Sequence, residues 1–222
     1  ITNAPTASSN AASYNLTYAS GLSATNYTFN PAASAVSYVV NPAILNLTIS
    51  KTYNGDASFS NTNTYTISGT RYNSDAVPTI TSGSATTTSA NAATYTSFAS
   101  SNLALSNANY TLVGGTVSAT IDKANAYVII GSGQSSTYGS TPTINYTFYN
   151  NANGTGGAAI TNPAGLAGTA TITNAPTASS NAASYSLTYA TGLSATNYTF
   201  NPAASAVSYV VNPAILNLTI DR

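Results

Sequence analysis

Four aspartates are the acidic side chains that this sequence offers for acid–base chemistry, because it contains no glutamate and no histidine. Two carboxylates facing one cleft can hydrolyse a glycosidic bond, one as the acid and the other as base or nucleophile. Asp122 and Asp221 occupy corresponding ends of Thr-Ile-Asp runs, which favours a role at a strand end. Asp56 follows a turn sequence and Asp75 lies near Arg71, which favours turn capping or a surface pair. The sequence therefore predicts no catalytic carboxylate pair.

Nucleophilic and metal sites are limited by the same composition. Without histidine or cysteine, neither a Ser-His-Asp nor a Cys-His arrangement can be built within the chain. The absence of cysteine also excludes disulfides and thiolate metal sites. Calcium usually takes several acidic oxygens from one loop, and no loop here holds two acids close together. We therefore expect no enzymatic activity, no cofactor and no metal site.

Two lysines carry the remaining chemical hypothesis. Lys51 and Lys123 lie in asparagine-rich surroundings, where a Lys–Asn isopeptide crosslink would require a buried acid nearby. The simpler interpretation is that charges at the ends of edge strands discourage sheets from joining. The sequence favours the second interpretation for Lys51, Asp122, Lys123, Asp221 and Arg222.

Tyrosine and asparagine offer two ways of meeting carbohydrate. The chain has 17 tyrosines and 5 phenylalanines, and tyrosine suits both thin cores close to water and stacking on sugars. Because several tyrosines recur at strand spacing, packing is favoured over sugar binding. Those tyrosines are Tyr14, Tyr18, Tyr27 and Tyr38, repeated as Tyr185, Tyr189, Tyr198 and Tyr209. Asn-x-Ser/Thr sequons, the acceptors of N-glycosylation, begin at Asn15, Asn26, Asn46, Asn109, Asn145, Asn153, Asn197 and Asn217.

The low charge of the chain excludes two classes of partner. Only 4% of residues are charged, against roughly 25% in ordinary soluble proteins. Nucleic acid and anionic membranes are bound through clustered lysine and arginine, so neither is expected as a partner. A hydrophobic content of 43% still allows buried cores. No apolar run approaches the roughly 20 residues that span a bilayer, so we expect no membrane insertion.

The chain repeats itself almost verbatim. Ile1–Ile49 reappears 171 residues later as Ile172–Ile220, with differences only at Asn15/Ser186 and Ser20/Thr191. A catalytic domain gains nothing from such a neighbour, whereas a fibre or surface coat gains length from each copy. Both ends of the sequence fall inside repeats, so we expect it to be part of a longer array.

A weaker echo divides the repeat into two modules. Asn91–Tyr95 copies Asn10–Tyr14, and the exits Val40–Ala43, Ile121–Ala124 and Val211–Ala214 correspond. These echoes predict four segments. They are the C-terminal half of a second-type module (1–42), a first-type module (43–123), a second-type module (124–212) and the first strand of another module (213–222).

Strand patterns dominate both modules. Apolar residues alternate with small polar ones, which is the period of a half-buried strand, and Pro, Gly and Asn clusters punctuate them. The alternating sets are Tyr14/Leu16/Tyr18, Val36/Tyr38/Val40, Leu45/Leu47/Ile49, Val117/Ala119/Ile121 and Ile144/Tyr146/Phe148. No segment shows helical periodicity with caps. The sequence predicts an all-β fold of tandem small two-layer β modules in an elongated array, either immunoglobulin-like sandwiches or β-grasp-like.

The turns and exits carry a family resemblance. The first module contains Lys51–Asp56, Asn91–Tyr95 and the Ile-Asp-Lys-Ala exit, in an order that resembles the YDG-type module of large bacterial surface proteins. The second module, with Ser136–Pro142, Asn197–Phe200 and the Val-Asn-Pro-Ala exit, is similar to the MBG-type module that accompanies it. Tyr53–Gly55 departs from the Tyr-Asp-Gly pattern by one amide. The resemblance covers essentially the whole chain and implies mostly-β spacers of filamentous-haemagglutinin-like adhesins, with no catalytic or cofactor residues.

These observations predict a structural segment of an extracellular bacterial fibre or adhesin at the cell surface, acting as a stalk or as self-assembling biofilm material. Its expected partners are neighbouring copies of the same repeat, with surface glycans as a further candidate. One alternative is a side-by-side polymer of a sheath or filament wall, because near-zero net charge removes repulsion. A carbohydrate-binding array is another, and it needs exposed aromatic residues in every copy. An ice-binding role rests only on Thr169, Thr171 and Thr173, and no regular ladder of such runs follows them.

Overall fold

The computed structural model describes residues 1–220, and they form an all-β structure, as the sequence predicts. The predictions for Asp221 and Arg222 lie outside the described residues. No helix in the described part of the chain is long and apolar enough to cross a membrane. The chain divides into two compact units, one formed by residues 1–51 and 55–121 and the other by residues 52–54 and those from 122 onward.

The first unit contains several small sheets. Its strands are β1 (Ala12–Leu16), β2 (Val36–Val40), β3 (Ala43–Ile44), β4 (Asn46–Thr52), β5 (Ser58–Phe59), β6 (Thr64–Ser68), β7 (Ile80–Ser82), β8 (Ala85–Thr86), β9 (Ala93–Tyr95), β10 (Ser100–Ser101), β11 (Ala104–Leu105), β12 (Tyr110–Thr111) and β13 (Val117–Asp122). The largest sheet has the order β6-β4-β13-β9, and β1 pairs with β2 in a separate antiparallel sheet. Short pairs complete the unit as β10-β8-β5, β11-β7 and β12-β3.

The core of the first unit lies on one face of β4. Leu47 and Ile49 alternate with polar residues along the strand and are buried, because side chains of a strand point to opposite faces in turn. Ile67 on β6 lies opposite Leu47 in the antiparallel register, and Ile121 on β13 is also buried. The alternation seen in the sequence therefore places this core correctly.

The second unit contains two sheets. Its strands are β14 (Ala124–Ile130), β15 (Ser135–Thr137), β16 (Tyr146–Tyr149), β17 (Ala167–Thr173), β18 (Ala183–Ser194), β19 (Tyr198–Pro202) and β20 (Val207–Asn212). The sheet orders are β16-β14-β19 and β15-β20-β18-β17. Ile130, Leu187, Tyr209 and Val211 form the buried cluster between them.

The predicted modules 43–123 and 124–212 begin with the same parallel pairing. Ala43 of β3 lies opposite Tyr110, and Ala124 of β14 lies opposite Tyr198. The amide of Ala43 donates to a main-chain oxygen at 2.8 Å, and that of Ala124 does so at 3.0 Å. The acceptors are the equivalent residues Asn109 and Asn197. The sequence echo therefore corresponds to an equivalent local structure.

The turns that follow are also equivalent. The amide of Tyr53 donates to the carbonyl of Asp122 at 2.8 Å, and the amide of Tyr138 donates to the carbonyl of Asn212 at 2.8 Å. The strands before and after Lys123 belong to different sheets. The division at residues 42, 123 and 212 stays a prediction.

A tyrosine hydroxyl closes the same turn three times. Tyr14, Tyr95 and Tyr185 donate to the carbonyl oxygen four residues earlier, each at 2.8 Å. We expect Tyr185→Phe to lower the free energy of unfolding of the second unit by about 0.5–1 kcal/mol, because one hydrogen bond near the surface is lost. Urea unfolding measures the change. Tyr72→Phe, at a side chain that is exposed, is the matched control, and an equal loss there would contradict the explanation.

Candidate functional site

The aspartates in the described part of the chain lie in separate surroundings. The Asp75 carboxylate accepts hydrogen bonds from the Tyr110 hydroxyl at 3.0 Å and the Asn107 amide at 3.2 Å. Asp122 is exposed at the end of β13. No group of three acidic, histidine or cysteine side chains that could hold a metal occurs among residues 1–220. The Asp75 hydrogen bonds join its loop to residues 107–110, and Asp122 lies on a separate strand end, so these two carboxylates do not share a site.

The carboxyl group of Asp56 is perturbed by a residue two positions along the chain. The main-chain amide and the hydroxyl of Ser58 donate to its Oδ1 at 3.0 and 2.9 Å. These two hydrogen bonds, followed by the nearby charge of Lys51, lower the pKa of Asp56 below its ordinary value. The hydrogen bonds favour the ionised form of the carboxyl group. The perturbation therefore belongs to a turn.

The lowered pKa of Asp56 predicts a small acid-side change in stability. A carboxyl group whose pKa falls on folding stabilises the protein above the unfolded-state pKa, and this contribution is lost as pH falls through the folded-state pKa. We expect an NMR titration to place the Asp56 midpoint below the ordinary value of about 3.9. Ser58→Ala should move it part of the way back. An unchanged midpoint in Ser58→Ala would contradict the assigned cause.

Both lysines of the crosslink hypothesis contact main-chain oxygens. Lys51 Nζ donates to the carbonyl of Ser58 at 2.9 Å and lies 5.3 Å from the centroid of the Phe59 ring. Lys123 Nζ donates to the carbonyl of Ala195 at 2.8 Å. These contacts hold loops against each lysine's own unit, and they favour a structural role over a Lys–Asn crosslink.

A cleft of about 450 Å³ opens in the first unit. Its apolar lining includes Leu47, Phe98, Leu103, Leu105 and Val117. No aspartate, lysine or arginine is among the residues that line it. The cleft therefore offers no carboxylate or lysine for acid–base catalysis.

The repeated segment occupies two opposite environments. Tyr209 in the second copy is 1% exposed, whereas its equivalent Tyr38 in the first copy is 52% exposed. Because the segments differ at only two positions, the difference reflects what surrounds each copy. Several apolar residues of the first copy are exposed while their equivalents are buried or half-buried. Four of them, Tyr27, Phe29, Val36 and Tyr38, are called the uncovered residues.

At the C-terminal end of the repeated segment, it is the first copy that is buried and the second copy that is exposed. Leu47 in β4 is 2% exposed, whereas the equivalent Leu218 is 86% exposed and lies outside any strand. In the first copy these residues pair with β6 and lie beside β13. Residues 213–220 have no partner strand among the strands that the structure describes. Strand formation here depends on partner strands rather than on the sequence of the segment alone.

Residues 124–170 provide the cover in the second copy. β14 pairs in parallel with β19 and antiparallel with β16, and β15 pairs in parallel with β20. The rings of Phe148 and Phe200 lie 5.0 Å apart. Burial, and then the neighbouring Tyr53, raise the pKa of Tyr198. Strand pairing and ring contacts therefore cover β19 and β20 of the second copy.

No family model, curated protein or solved structure matches this chain. The resemblance to YDG-type and MBG-type modules therefore stays a prediction. The candidate site is accordingly the surface formed by the uncovered residues, identified from the difference in exposure between the two copies. The 171-residue offset contains the signal, but the sequence alone does not show which strands cover which copy.

The structure also shows where a predicted glycosylation sequon and the threonine run of the ice-binding alternative lie. Asn197, which begins a predicted glycosylation sequon, is buried, whereas its equivalent Asn26 is exposed. Thr169, Thr171 and Thr173 are exposed along the edge strand β17. Neither placement makes a recurrent ligand surface, since the sequon differs in exposure between copies and the threonine run lies on a single strand.

Proposed function

We propose that this chain is a structural repeat segment of a long extracellular bacterial fibre or adhesin, acting as a stalk or as self-assembling surface material. The observation that supports this proposal is the role of the 49-residue segment in two successive units. Residues 172–212 complete the second unit, and residues 43–49 supply β3 and part of β4 in the first unit. With the predicted division at residues 42 and 212, each repeated segment links the end of one module to the start of the next, as expected of a tandem array.

The uncharged surface supports an extracellular structural role. Hydroxyl pairs connect neighbouring strands, with Ser13 and Ser37 at 2.8 Å and their equivalents Ser184 and Ser208 at 2.6 Å. Such cross-strand pairs stabilise sheets without the charges that steer nucleic acid or membranes. The low net charge also supports the alternative of side-by-side packing in a sheath or filament wall.

A carbohydrate-binding array is the second candidate function. It requires the same exposed aromatic residues in each copy, because sugars stack on ring faces. Tyr38 is exposed but its repeat Tyr209 is buried, and Tyr198 packs its ring 5.5 Å from that of Tyr53. This difference favours packing as the function of the tyrosines.

Small-angle scattering on a chain of two full repeats tests the stalk. Modules of this size have a radius of gyration of about 12 Å, so each repeat should add roughly 60–80 Å if its two modules join end to end. A maximum dimension below about 80 Å would show collapsed modules and would overturn the stalk mechanism. A particle mass that rises with concentration would instead favour the side-by-side polymer.

A further inference from the structure

The uncovered residues of the first copy correspond to a surface of the second copy that is covered by residues 124–170 of the same chain. Tyr209 and Val211 pack in one cluster with Ile130 of β14, and Ile144 and Tyr146 pack against that cluster. The equivalents of Tyr209 and Val211 are Tyr38 and Val40. The cover of the second copy thus defines the side chains that fit the first.

The main chain of the first copy is equally open. β18 has 12 residues and pairs with β17 and β20, whereas the equivalent β1 has 5 residues and pairs only with β2 among the strands described. Residues 27–31, equivalent to β19, form no strand in the first copy. Unpaired main-chain groups at a sheet edge are a template for a further strand.

We propose that residues 1–42 dock an unpaired segment with the sequence of residues 124–170, supplied by an adjacent repeat of the same kind. The expected register is that of the second copy. Ala124 of the docked segment should lie opposite Tyr27, and the residue that lies opposite Val210 in the second copy should lie opposite Val39 in the first. This proposal rests on burial and strand register, and it does not require the chain to act as a stalk.

A second copy of this chain is not the occupant. Its residues 124–170 are already paired with its own β18, β19 and β20. Each chain has two copies of the repeated segment but one copy of residues 124–170, so association of such chains leaves one segment uncovered for every chain. The segment that covers residues 1–42 must therefore be an additional segment with the sequence of residues 124–170.

The contact is built without charge. Residues 1–42 and 124–170 contain no aspartate, glutamate, lysine or arginine. Apolar burial and main-chain hydrogen bonds therefore provide the attraction, and salt screening has no ion pairs to weaken. Binding should be unchanged between low and high sodium chloride.

The test is hydrogen exchange on the full chain, with residues 124–171 added before Ile1 in the order that they have before Ile172. Peptides that include position 15 or 20 differ in mass from those with Ser186 or Thr191, so the two copies are measured separately. We expect amide exchange around residues 17–29 to slow about 100-fold or more, approaching that of residues 188–200. Exchange at its original rate would overturn the proposal.

The matched control carries two changes in the added segment alone, equivalent to V128D and F148D. These changes place charges in the strands that face the uncovered residues, and protection should be lost. Equal protection by the control would overturn the proposal, because mere lengthening would explain it. Protection of the original chain on raising its concentration would also overturn it, in favour of a second copy as the occupant.

Discussion

Leu47→Ala should lower the free energy of unfolding of the first unit by about 2–5 kcal/mol, whereas Leu218→Ala should change stability by less than about 0.5 kcal/mol. The two leucines have the same neighbours in sequence, since Pro42–Ile49 and Pro213–Ile220 are identical. Leu47 is buried in β4, so its truncation loses apolar burial and leaves a cavity. Leu218 is exposed, and surface substitutions are usually near neutral.

Urea unfolding combined with hydrogen exchange separates the two effects. Peptides that reach Lys51 report on the first copy of this segment and are distinct in mass from the second. Equal losses from the two substitutions would show that residues 213–220 are packed in solution. That result would contradict the environment assigned to the second copy.

Tyr209→Ala should cost about 3–5 kcal/mol in the second unit, the range for truncating a large buried ring. Tyr209 packs with Ile130, Leu187 and Val211. Tyr38→Ala removes the same side chain from the same local sequence, but in a half-exposed position. We expect that substitution to cost about 1 kcal/mol or less.

The measurement again uses the sequence differences between copies. Peptides that contain Ser186 report the opening of the second unit, and peptides that contain Asn15 report the opening around β1. In a chain with residues 124–171 added before Ile1, the cost of Tyr38→Ala should rise towards that of Tyr209→Ala. A cost that stays near 1 kcal/mol in the extended chain would argue against the proposed docking.

Alternation of apolar and polar residues correctly predicted several of the strands. Val36/Tyr38/Val40, Leu45/Leu47/Ile49 and Val117/Ala119/Ile121 all fall in or beside strands of the structure, because a sheet with one buried face requires that period.

The parallel pairings could not be predicted in the same way. β14 pairs with β19, some seventy residues away, and β15 pairs with β20. Residue alternation identifies a strand but not its neighbours. For the same reason the sequence did not show that Tyr38 and Tyr209 differ in burial, since that difference depends on distant strands.

The strand β17 runs from Ala167 to Thr173 and so joins residues 124–170 directly to the copy of the repeated segment that follows them. It pairs with β18, which lies within that copy. Near-identical neighbours in one chain are prone to exchange partners while they fold. A strand that continues directly into the copy it pairs with favours that copy, because the partner is already covalently attached and little loop closure is needed. The direct connection through β17 therefore gives an array of almost indistinguishable repeats a way to fold each copy with the residues that come just before it.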